Sequence, residues 1–543
     1  MTKKLSFLFF MVLSSSALFA GGLLTNTNQS AHFLRNPALD ATTEIDGVYA
    51  NPAGLVFLNN GFHFSLTNQS AFQTRTITST FAPFAGFGGS ATKEYGAKTT
   101  AAVIPSFQLA YKMDKLAVSA GFAVVGGGGV AEFSKGLPSF EAPVSMIPLS
   151  LTQNGVKTTS YSLDQYMEGK QYTFGVQLNG SYKINEHLSA AVGVRLNMMS
   201  NAYKGHLTSI MINPNQPAFG AAYNGSSLVS ATKFFTDAAA TLNGWSAGAS
   251  SFVTGLQPIV SGGGGAVLLA NGTSAGLNAT QIAQIQGLLG AAGLTPAQIG
   301  AINIQTAQGT LSAAAPVFAG KATAMTTNAA STADKQLDTQ QSGMGITPIL
   351  SLNYHMDRLN LALKYEMKST IMLTNKTTVD NTGLYADGAE TPSDIPAYLS
   401  AGADFYITSG WKVSGGYHHF FDSHAKMAND KQKFINGGVN EFLVGTEYKL
   451  SKMFLISAGY QLTNTAVTDA YQSDLSFSLN SYSVGLGGAI DVTPNLRVNL
   501  AYFFTNYSDW TKKSTDYNKT TLAGTDVYAR TSKVFGVGVE YKF

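Results

Sequence analysis

The feature that most constrains this chain is a two-residue alternation of apolar and polar side chains, which recurs from about residue 61 onwards. Successive side chains of a β-strand point to opposite faces, so each alternating segment predicts a strand with one apolar and one polar face. The segment 170–185 illustrates the pattern. Its apolar set is Tyr172, Phe174, Val176, Leu178, Tyr182 and Ile184, and its polar set is Thr173, Gln177, Asn179 and Lys183.

Composition indicates where such strands can be stable. The chain is 45% hydrophobic but only 12% charged, against about 25% charged in soluble domains. Outside the N-terminus it has no apolar run of about 18 residues, the length that a membrane helix needs. Strands with one apolar face, in a chain that has no long apolar run, are typical of a transmembrane β-barrel. The net charge of +3 forms no basic patch for nucleic acid, and the absence of Cys excludes disulfides, thiol chemistry and zinc fingers.

The strand count supports a closed bacterial barrel, which needs an even number of antiparallel strands. Tight turns at 113–115, 185–187, 356–358, 408–410, 450–452 and 493–495 alternate with long loops, as both termini on the periplasmic side require. The pattern predicts fourteen strands near 61–80, 101–113, 115–127, 170–185, 187–212, 344–357, 358–375, 395–408, 410–426, 438–450, 453–466, 479–492, 495–509 and 526–543.

The first twenty residues predict an export signal. Lys3 and Lys4 form its positive region, Leu5–Leu13 its apolar region, and small residues place cleavage between Ala20 and Gly21. We therefore expect three parts: a signal peptide over 1–20, a turn-rich segment over 21–60 and the barrel over 61–543.

Residues 21–60 contain two Asn-Pro-Ala triplets, at 36–38 and 51–53. Asn-Pro favours turns, because Pro fixes its own φ and moves the preceding residue out of the helical region. From the residues alone, this segment is either a periplasmic tail or a plug folded into the barrel.

The stretch 46–55, DGVYANPAGL, resembles the hatch of the FadL/TodX family, outer-membrane transporters of long-chain fatty acids and other hydrophobic compounds. The resemblance implies a fourteen-stranded barrel plugged by an N-terminal hatch, with the motif at Asn51, Pro52, Ala53 and Gly54. The last strand ends on Phe543, which resembles the signal read by the outer-membrane assembly machinery. We accordingly expect a monomer among the lipids of a Gram-negative outer membrane, binding a hydrophobic small molecule.

Four glycines, Gly126, Gly127, Gly128 and Gly129, close the third predicted strand. Glycines weaken a strand ladder and mark a kink or bulge. The resemblance implies that the third strand bends inward there and opens a lateral exit into the membrane. The alternative is a flexible loop entry at the barrel rim.

A long insert over 214–342, rich in Ala, Gly, Thr and Gln, separates the fifth and sixth predicted strands. Helices are predicted at 278–289 and 295–305, the second capped by Thr295 with Pro296 at its first position. Residues 311–342 look too polar and small to hold a fixed structure. The resemblance implies helices that frame a hydrophobic entry groove, and the alternative is a helical cap packed only on itself.

Strand parity places four cations inside the barrel: Arg195, Lys364, Lys412 and Arg497. They could bind the headgroup of an anionic lipid. Alternatively they pair with carboxylates that hold plug and wall together, for which the candidates are Glu366, Asp404, Glu441 and Glu447.

The sequence predicts no catalytic centre, metal site or cofactor. His418, Asp422 and His424 suggest a metal site or a membrane hydrolase, but His418 and His419 point to opposite strand faces and are interpreted as rim residues. The predicted function is passive uptake of hydrophobic compounds, long-chain fatty acids first. The alternatives are a surface receptor or adhesin that uses the insert, including one for haem-type ligands, and a lipid hydrolase at 418–424. A plug formed by residues 21–60 would leave no open path, which argues against a water-filled porin.

Overall fold

A computed structural model describes residue 23, residues 25–86 and residues 89–543. The predicted signal peptide and its cleavage site lie outside the described residues. No helix in the described ranges is both long and apolar enough to span a membrane.

The described residues form fourteen antiparallel strands in one closed barrel, so the predicted fold class is confirmed. The first strand pairs with the last from His63 opposite Lys542 to Phe81 opposite Gly524, which closes the sheet. The strands are β1 (Gly61–Phe81), β2 (Thr92–Met113), β3 (Leu116–Phe133), β4 (Tyr161–Lys183), β5 (Leu188–Ile212), β6 (Lys335–His355), β7 (Leu359–Glu366 and Met372–Asp380), β8 (Glu390–Pro392 and Tyr398–Thr408), β9 (Trp411–Phe420), β10 (Asn440–Lys449), β11 (Phe454–Asn464), β12 (Ser481–Thr493), β13 (Leu496–Tyr507 and Trp510–Ser514) and β14 (Gly524–Lys542).

The alternation gives the barrel wall an apolar outer face and a polar inner face, as predicted. In β4, Leu178 and Tyr182 are exposed on the outer face, whereas Gln177 and Asn179 are buried towards the lumen. The same outward apolar rows recur around the barrel, for example at Val192, Leu352 and Val537. Several strands begin earlier than predicted: β2 at Thr92 and β4 at Tyr161 extend the upper barrel beyond the membrane-facing rows.

Residues 25–60 lie inside the barrel, and we call them the hatch. They contain helix α1 (Ala31–Arg35) and two 3₁₀ helices, Ile45–Val48 and Pro52–Phe57. Leu34 is fully buried and belongs to an apolar cluster with Phe503 of β13. Apolar side chains thus hold part of the hatch against a wall that is otherwise polar.

Glycines on the inner wall make room for the hatch backbone. A Cβ at Gly536 would lie 2.6 Å from Leu34 Cδ1, and one at Gly487 would lie 2.8 Å from Arg35 Cβ. At Gly485 the added atom would overlap the Leu34 carbonyl oxygen. The wall positions where a side chain would meet the hatch in this way are Gly402, Gly416, Gly445, Gly459, Gly485, Gly487 and Gly536.

The loops opposite the tight turns carry the longer helices. Helix α2 (Pro138–Gln153) lies between β3 and β4, and the β5–β6 connection contains α3 (Ala231–Ser261), α4 (Ala279–Ala291), α5 (Pro296–Ala301) and α6 (Ile304–Thr332). Helices α3 and α6 pack together as a long hairpin, with Leu242 and Phe318 in its apolar interior. The predicted cap is confirmed, since Thr295 accepts from the Gln298 N–H with Pro296 at the first position.

The expectation that 311–342 lacks a fixed structure is wrong. Residues 311–332 belong to α6, and 335–342 belong to β6, so the connection ends before the predicted boundary at 342. Ala is the best helix former, and small side chains let α6 approach α3 closely enough to bury Leu311 and Ala322. A helix built of small and polar side chains lacks a strong apolar stripe, and its sequence therefore resembles that of a disordered segment.

The close fit of the hatch against the barrel wall can be tested at Gly485. We expect Gly485→Ala to displace the hatch, because the new Cβ would overlap the Leu34 carbonyl oxygen, at the cost of about 1–3 kcal/mol typical of overpacking. Single-channel recordings in planar bilayers should then show more frequent open events than the native barrel. Gly415→Ala is the matched control, since its Cβ would lie 4.0 Å from the nearest atom, Leu443 O. An equal frequency of open events in both variants would contradict this account.

Candidate functional site

The hydrogen-bond ladder between β2 and β3 is interrupted near its middle. The strands pair from Met113 with Leu116 up to Phe107 with Phe122, and the next pair is Lys98 with Glu132. Over the same stretch β2 stays paired with β1, and β3 stays paired with β4. The interruption therefore lies in one seam of the wall, bounded by residues 99–106 and 123–131, and we call it the β2–β3 gap.

The glycine run lies on the β3 side of this gap. The register of β3 against β4 shifts between Val124 and Gly126 and again between Gly127 and Gly129. Gly127 has φ +66°, and a Cβ there would overlap the Gln171 carbonyl oxygen. Only glycine fits this backbone without strain. On the opposite side, Pro105 has no N–H to offer a neighbouring strand, which suits an unpaired edge.

Hatch residues donate hydrogen bonds to backbone carbonyls of β3 beside the gap. The Asn26 N–H donates to Val125 O at 2.8 Å, and Asn26 Nδ2 donates to Gly127 O at 2.9 Å. Gln29 Nε2 donates to Val124 O at 3.3 Å. Buried carbonyl groups need hydrogen-bond partners, so the hatch completes the kinked strand.

The same stretch of hatch also contacts the other side of the gap. Asn28 Nδ2 donates to Gln69 Oε1 at 3.2 Å, and Gln69 Nε2 donates to Asn28 O at 2.6 Å. Gln69 lies on β1, next to the unpaired stretch of β2. Residues 26–29 thus span the gap from inside, and movement of this segment would unseal it.

The four hatch-motif residues lie against β4, β5 and β6. Asn51 Nδ2 donates to Thr42 O at 3.0 Å and to Asn353 Oδ1 at 2.6 Å, which joins two turns of the hatch to β6. Wall serines bind the next two carbonyls, since Ser181 donates to Pro52 O and Ser189 to Ala53 O. A Cβ at Gly54 would lie 2.5 Å from Thr42 O, so glycine keeps this turn closed.

Ion pairs form a second set of contacts between hatch and wall, centred on Glu447 of β10. Its carboxylate pairs with His32 Nε2 at 2.9 Å and with Lys412 Nζ at 2.8 Å, and it also pairs with Arg35. The other ring nitrogen of His32 lies 2.7 Å from Asp46 Oδ2. Two cations of the hatch and one of the wall therefore share one buried carboxylate.

The interpretation of His418 as a rim residue is wrong. His418 is buried in the lumen, with Nε2 2.8 Å from Asp40 Oδ1 of the hatch and Nδ1 2.8 Å from Glu441 Oε2. His419 lies on the other face of the strand and contacts Asn440, while His424 is exposed in the following loop. The residues proposed for a hydrolase thus do not converge, and His418 instead binds the hatch.

All four cations predicted inside the barrel have carboxylate partners. Arg195 and Lys364 both pair with Glu366, and Lys364 Nζ also donates to Tyr49 O of the hatch at 2.8 Å. Lys412 pairs with Glu447, as described above, and with Asp404 at 3.5 Å. Arg497 binds Asp491 at 2.7 Å and Glu44 of the hatch at 3.1 Å. Each of the four cations thus already has a carboxylate partner within the protein.

One carboxylate–histidine group has the composition of a metal site, namely His32, Glu44 and Asp46. Both ring nitrogens of His32 face carboxylates, which requires both to carry hydrogen. Burial and the nearby Arg35 lower the pKa of His32, but Glu447 and Asp46 outweigh them and raise it to about 9. In this structure the three side chains belong to the ion-pair network around Glu447.

A groove of about 240 Å³ opens among α2, α3, α6 and the upper ends of β5 and β6. Most of its lining is apolar, and Asn328 and Lys335 add polar groups. Its apolar lining residues are Val144, Ile147, Leu151, Leu207, Ile210 and Phe235. By contrast, the apolar side chains of α4, including Ile285 and Leu289, are buried within the helical insert itself.

The hatch contacts beyond the motif were not predicted. Asn26, Gln29, His32, Arg35 and Asp40 carry most of them, and the sequence signal was the Asn- and Gln-rich stretch 26–29 ahead of the first strand. Amides in such a segment offer donors to an incomplete ladder, but which carbonyls they reach depends on how the segment folds back.

Solved structures with the same architecture now provide a comparison. The crystal structure of a Pseudomonas aeruginosa FadL homologue aligns with 96% of this chain and 100% of its own, with TM-score 0.55 and 12% identity. This chain shares its fold. The Pseudomonas putida toluene transporter TodX aligns over 92% of this chain and 95% of its own, with TM-score 0.45 and 16% identity. No protein-family model and no curated protein sequence matches the chain.

The pKa of His32 predicts a pH-dependent hatch. The charged imidazole stabilises the hatch fully below pH about 6.5 and loses that contribution as the pH rises through about 9. The shift corresponds to roughly 3 kcal/mol at most. We expect trypsin to cleave after the buried Arg35 faster at pH about 10 than at pH about 7. His32→Gln should be cleaved quickly at both values.

The matched control is His424→Gln, which changes an exposed loop histidine and should retain the native pH response. Cleavage after Arg35 that rises equally with pH in the native chain and in His32→Gln would contradict the assignment.

Proposed function

We propose that this protein carries hydrophobic compounds passively across the bacterial outer membrane and releases them sideways through the β2–β3 gap. Ligand would enter the apolar groove beneath α3 and α6, move into the lumen, and leave when residues 26–29 shift. The interrupted ladder, closed from inside by hatch amides, is the observation that carries this proposal. The gap supplies an exit at the level of the membrane lipids, so that a ligand avoids the polar periplasmic end of the barrel.

The wall chemistry supports lateral release over passage along the whole barrel axis. Apart from residues 26–29, the hatch is held by Asn51, by the Glu447 ion pairs and by His418 with Asp40. Moving all of it would expose several buried charges, which is costly in free energy. Moving only residues 25–29 breaks a few neutral hydrogen bonds, each contributing about 1 kcal/mol.

Long-chain fatty acids are the ligand class we propose first. Other solved structures with this architecture are a toluene transporter and a monoaromatic hydrocarbon channel, which makes uncharged hydrocarbons the competing class. The proposal also includes a monomer located in a Gram-negative outer membrane, contacting its lipids and assembled through the strand that ends at Phe543.

Uptake of radiolabelled oleate tests the proposal, in Gram-negative cells that lack their own fatty acid transporter. Native protein should confer uptake, and Gly127→Val should reduce it to the level of cells without the protein. Valine cannot adopt the φ of +66° at this position, so the kink would be lost. A chain lacking residues 21–60 should admit small hydrophilic solutes as well, because the lumen is no longer plugged.

Gly180→Val is the matched control, because a Cβ at this β4 position meets nothing within 4 Å. Heat-dependent gel mobility would establish that every variant is a folded barrel. Native-rate uptake by folded Gly127→Val would contradict lateral release. No uptake by the folded native chain would contradict fatty acid transport and favour a receptor role for the helical insert.

A further inference from the structure

Tyr49 joins the fixed part of the hatch to the residues that close the β2–β3 gap. Its hydroxyl donates to the Asn26 carbonyl oxygen at 3.1 Å. In the part of the chain that the structure describes, no other hydrogen bond joins residues 44–60 to residues 25–29. Asn26 in turn donates to Val125 O and Gly127 O of the kinked strand. Tyr49 is therefore one hydrogen bond away from the closure of the gap.

The backbone at Tyr49 is held by side chains of the barrel wall. Lys364 Nζ of β7 donates to Tyr49 O at 2.8 Å. Gln177 Nε2 and Asn179 Nδ2 of β4 donate to the preceding carbonyl, Val48 O, at 2.8 Å and 3.0 Å. All three donors belong to strands, so we expect this stretch of the hatch to stay in place when the end of the hatch moves.

The aromatic ring of Tyr49 lies between two cations. Lys364 Nζ is 4.6 Å from the ring centre, and the guanidinium carbon of Arg195 is 5.3 Å from it. A cation over an aromatic face is attracted by the ring quadrupole, and more strongly where water is excluded. Both cations are buried and pair with Glu366. The ring is thus fixed by contacts that do not involve its hydroxyl.

The Asn26 carbonyl also has a donor from its own segment. Gln29 Nε2 donates to Asn26 O at 2.6 Å. That bond lies within residues 26–29 and moves with them. A buried carbonyl is satisfied by one partner, so the Tyr49 hydroxyl is an additional donor. Its effect is to tie residues 26–29 to the fixed part of the hatch.

Two small cavities behind the gap include Tyr49 and Val125 in their lining. The first lies beside the Phe107–Phe122 pair that borders the gap, and the second lies beside Thr25. Each has a volume of about 10 Å³, roughly the space of one water molecule. A hydrocarbon chain does not fit into such a space. Ligand in the lumen therefore reaches the gap only when the residues around these cavities move.

We propose that Tyr49 is a positioning residue for ligand release, whose hydroxyl latches residues 26–29 over the β2–β3 gap. This inference rests on the proposed function and assigns the contact that sets how often the gap opens. Release begins when the bond from Tyr49 to Asn26 breaks together with the bonds from residues 26–29 to β3. The ring stays on Lys364 and Arg195 and rebinds the segment when it returns.

Thiol labelling measures how often residues 26–29 leave the gap. The chain contains no cysteine, so Thr27→Cys introduces a single reactive group. Thr27 is buried, and its hydroxyl has no hydrogen-bond partner to lose. In purified Thr27→Cys barrel in nonionic detergent, we expect Tyr49→Phe to raise the rate of labelling by a water-soluble thiol reagent about fivefold, as loss of one neutral hydrogen bond does. Phenylalanine keeps the ring and removes only the hydroxyl.

Oleate uptake by cells that lack their own fatty acid transporter gives a second readout. Tyr49→Phe should raise the maximal uptake rate about twofold or more, because release becomes easier. The oleate concentration for half-maximal uptake should stay unchanged, because oleate binds in the groove before the latch opens. A hydroxyl that only supports the fold would not raise the maximal rate.

Tyr417→Phe is the matched control, because the hydroxyl of Tyr417 donates to Asn440 Oδ1 of β10 at 2.7 Å rather than to the hatch. It should leave both readouts unchanged, and heat-dependent gel mobility would establish that each variant is a folded barrel. Unchanged labelling, or an unchanged maximal uptake rate, in folded Tyr49→Phe would overturn the latch while the proposed function stands. No oleate uptake by the native chain would overturn the proposed function, and the labelling rates would still decide whether Tyr49 holds residues 26–29.

Discussion

Backbone hydrogen bonding governs this structure, because lipid offers no partner to an unpaired N–H or C=O group. The β2–β3 ladder fails this requirement between the Phe107–Phe122 and Lys98–Glu132 pairs, and the β6–β7 ladder is also interrupted, between the Ile349–Glu366 and Ser342–Thr374 pairs. At the β2–β3 gap, Asn26 and Gln29 supply donors from inside. The gap and the hatch therefore depend on each other: without the hatch, the kinked strand would expose carbonyl groups at the edge of the membrane.

The remaining hatch contacts explain why only part of it need move. Wall glycines let residues 31–41 approach the strands closely, and buried ion pairs at Glu447 and His418 fix that part in position. Separating buried ion pairs leaves uncompensated charges and is strongly unfavourable. Residues 25–29, in contrast, are held mostly by neutral amide bonds. The division between a fixed body and a releasable end follows from the chemistry of the two sets of contacts.

Much of the architecture could be predicted from sequence because side-chain alternation reports directly on a two-faced strand. It predicted all fourteen strands and the six tight turns. Helices in the loops were harder: α2 contains Pro143 and Pro148, and α6 is built of small residues without a strong apolar stripe. Their stability comes from packing against neighbours, which no local pattern reveals.

The site was predicted less completely for a related reason. Parity identified which cations face the lumen, but the carboxylates that neutralise them come from other strands or from the hatch, as Glu44 does for Arg497. Charge balance inside a barrel depends on which segments meet in three dimensions, and strand parity alone does not report on that.

The central claim is that ligand leaves through the β2–β3 gap. The most direct measurement is photo-cross-linking of a diazirine-labelled long-chain carboxylic acid to the native barrel in vesicles, with the labelled positions mapped by mass spectrometry. The account predicts adducts on residues 99–106 and 123–131, including the outward-facing Val103. Adducts concentrated instead at the periplasmic end of the lumen, around Asn60 and Lys112, would contradict it.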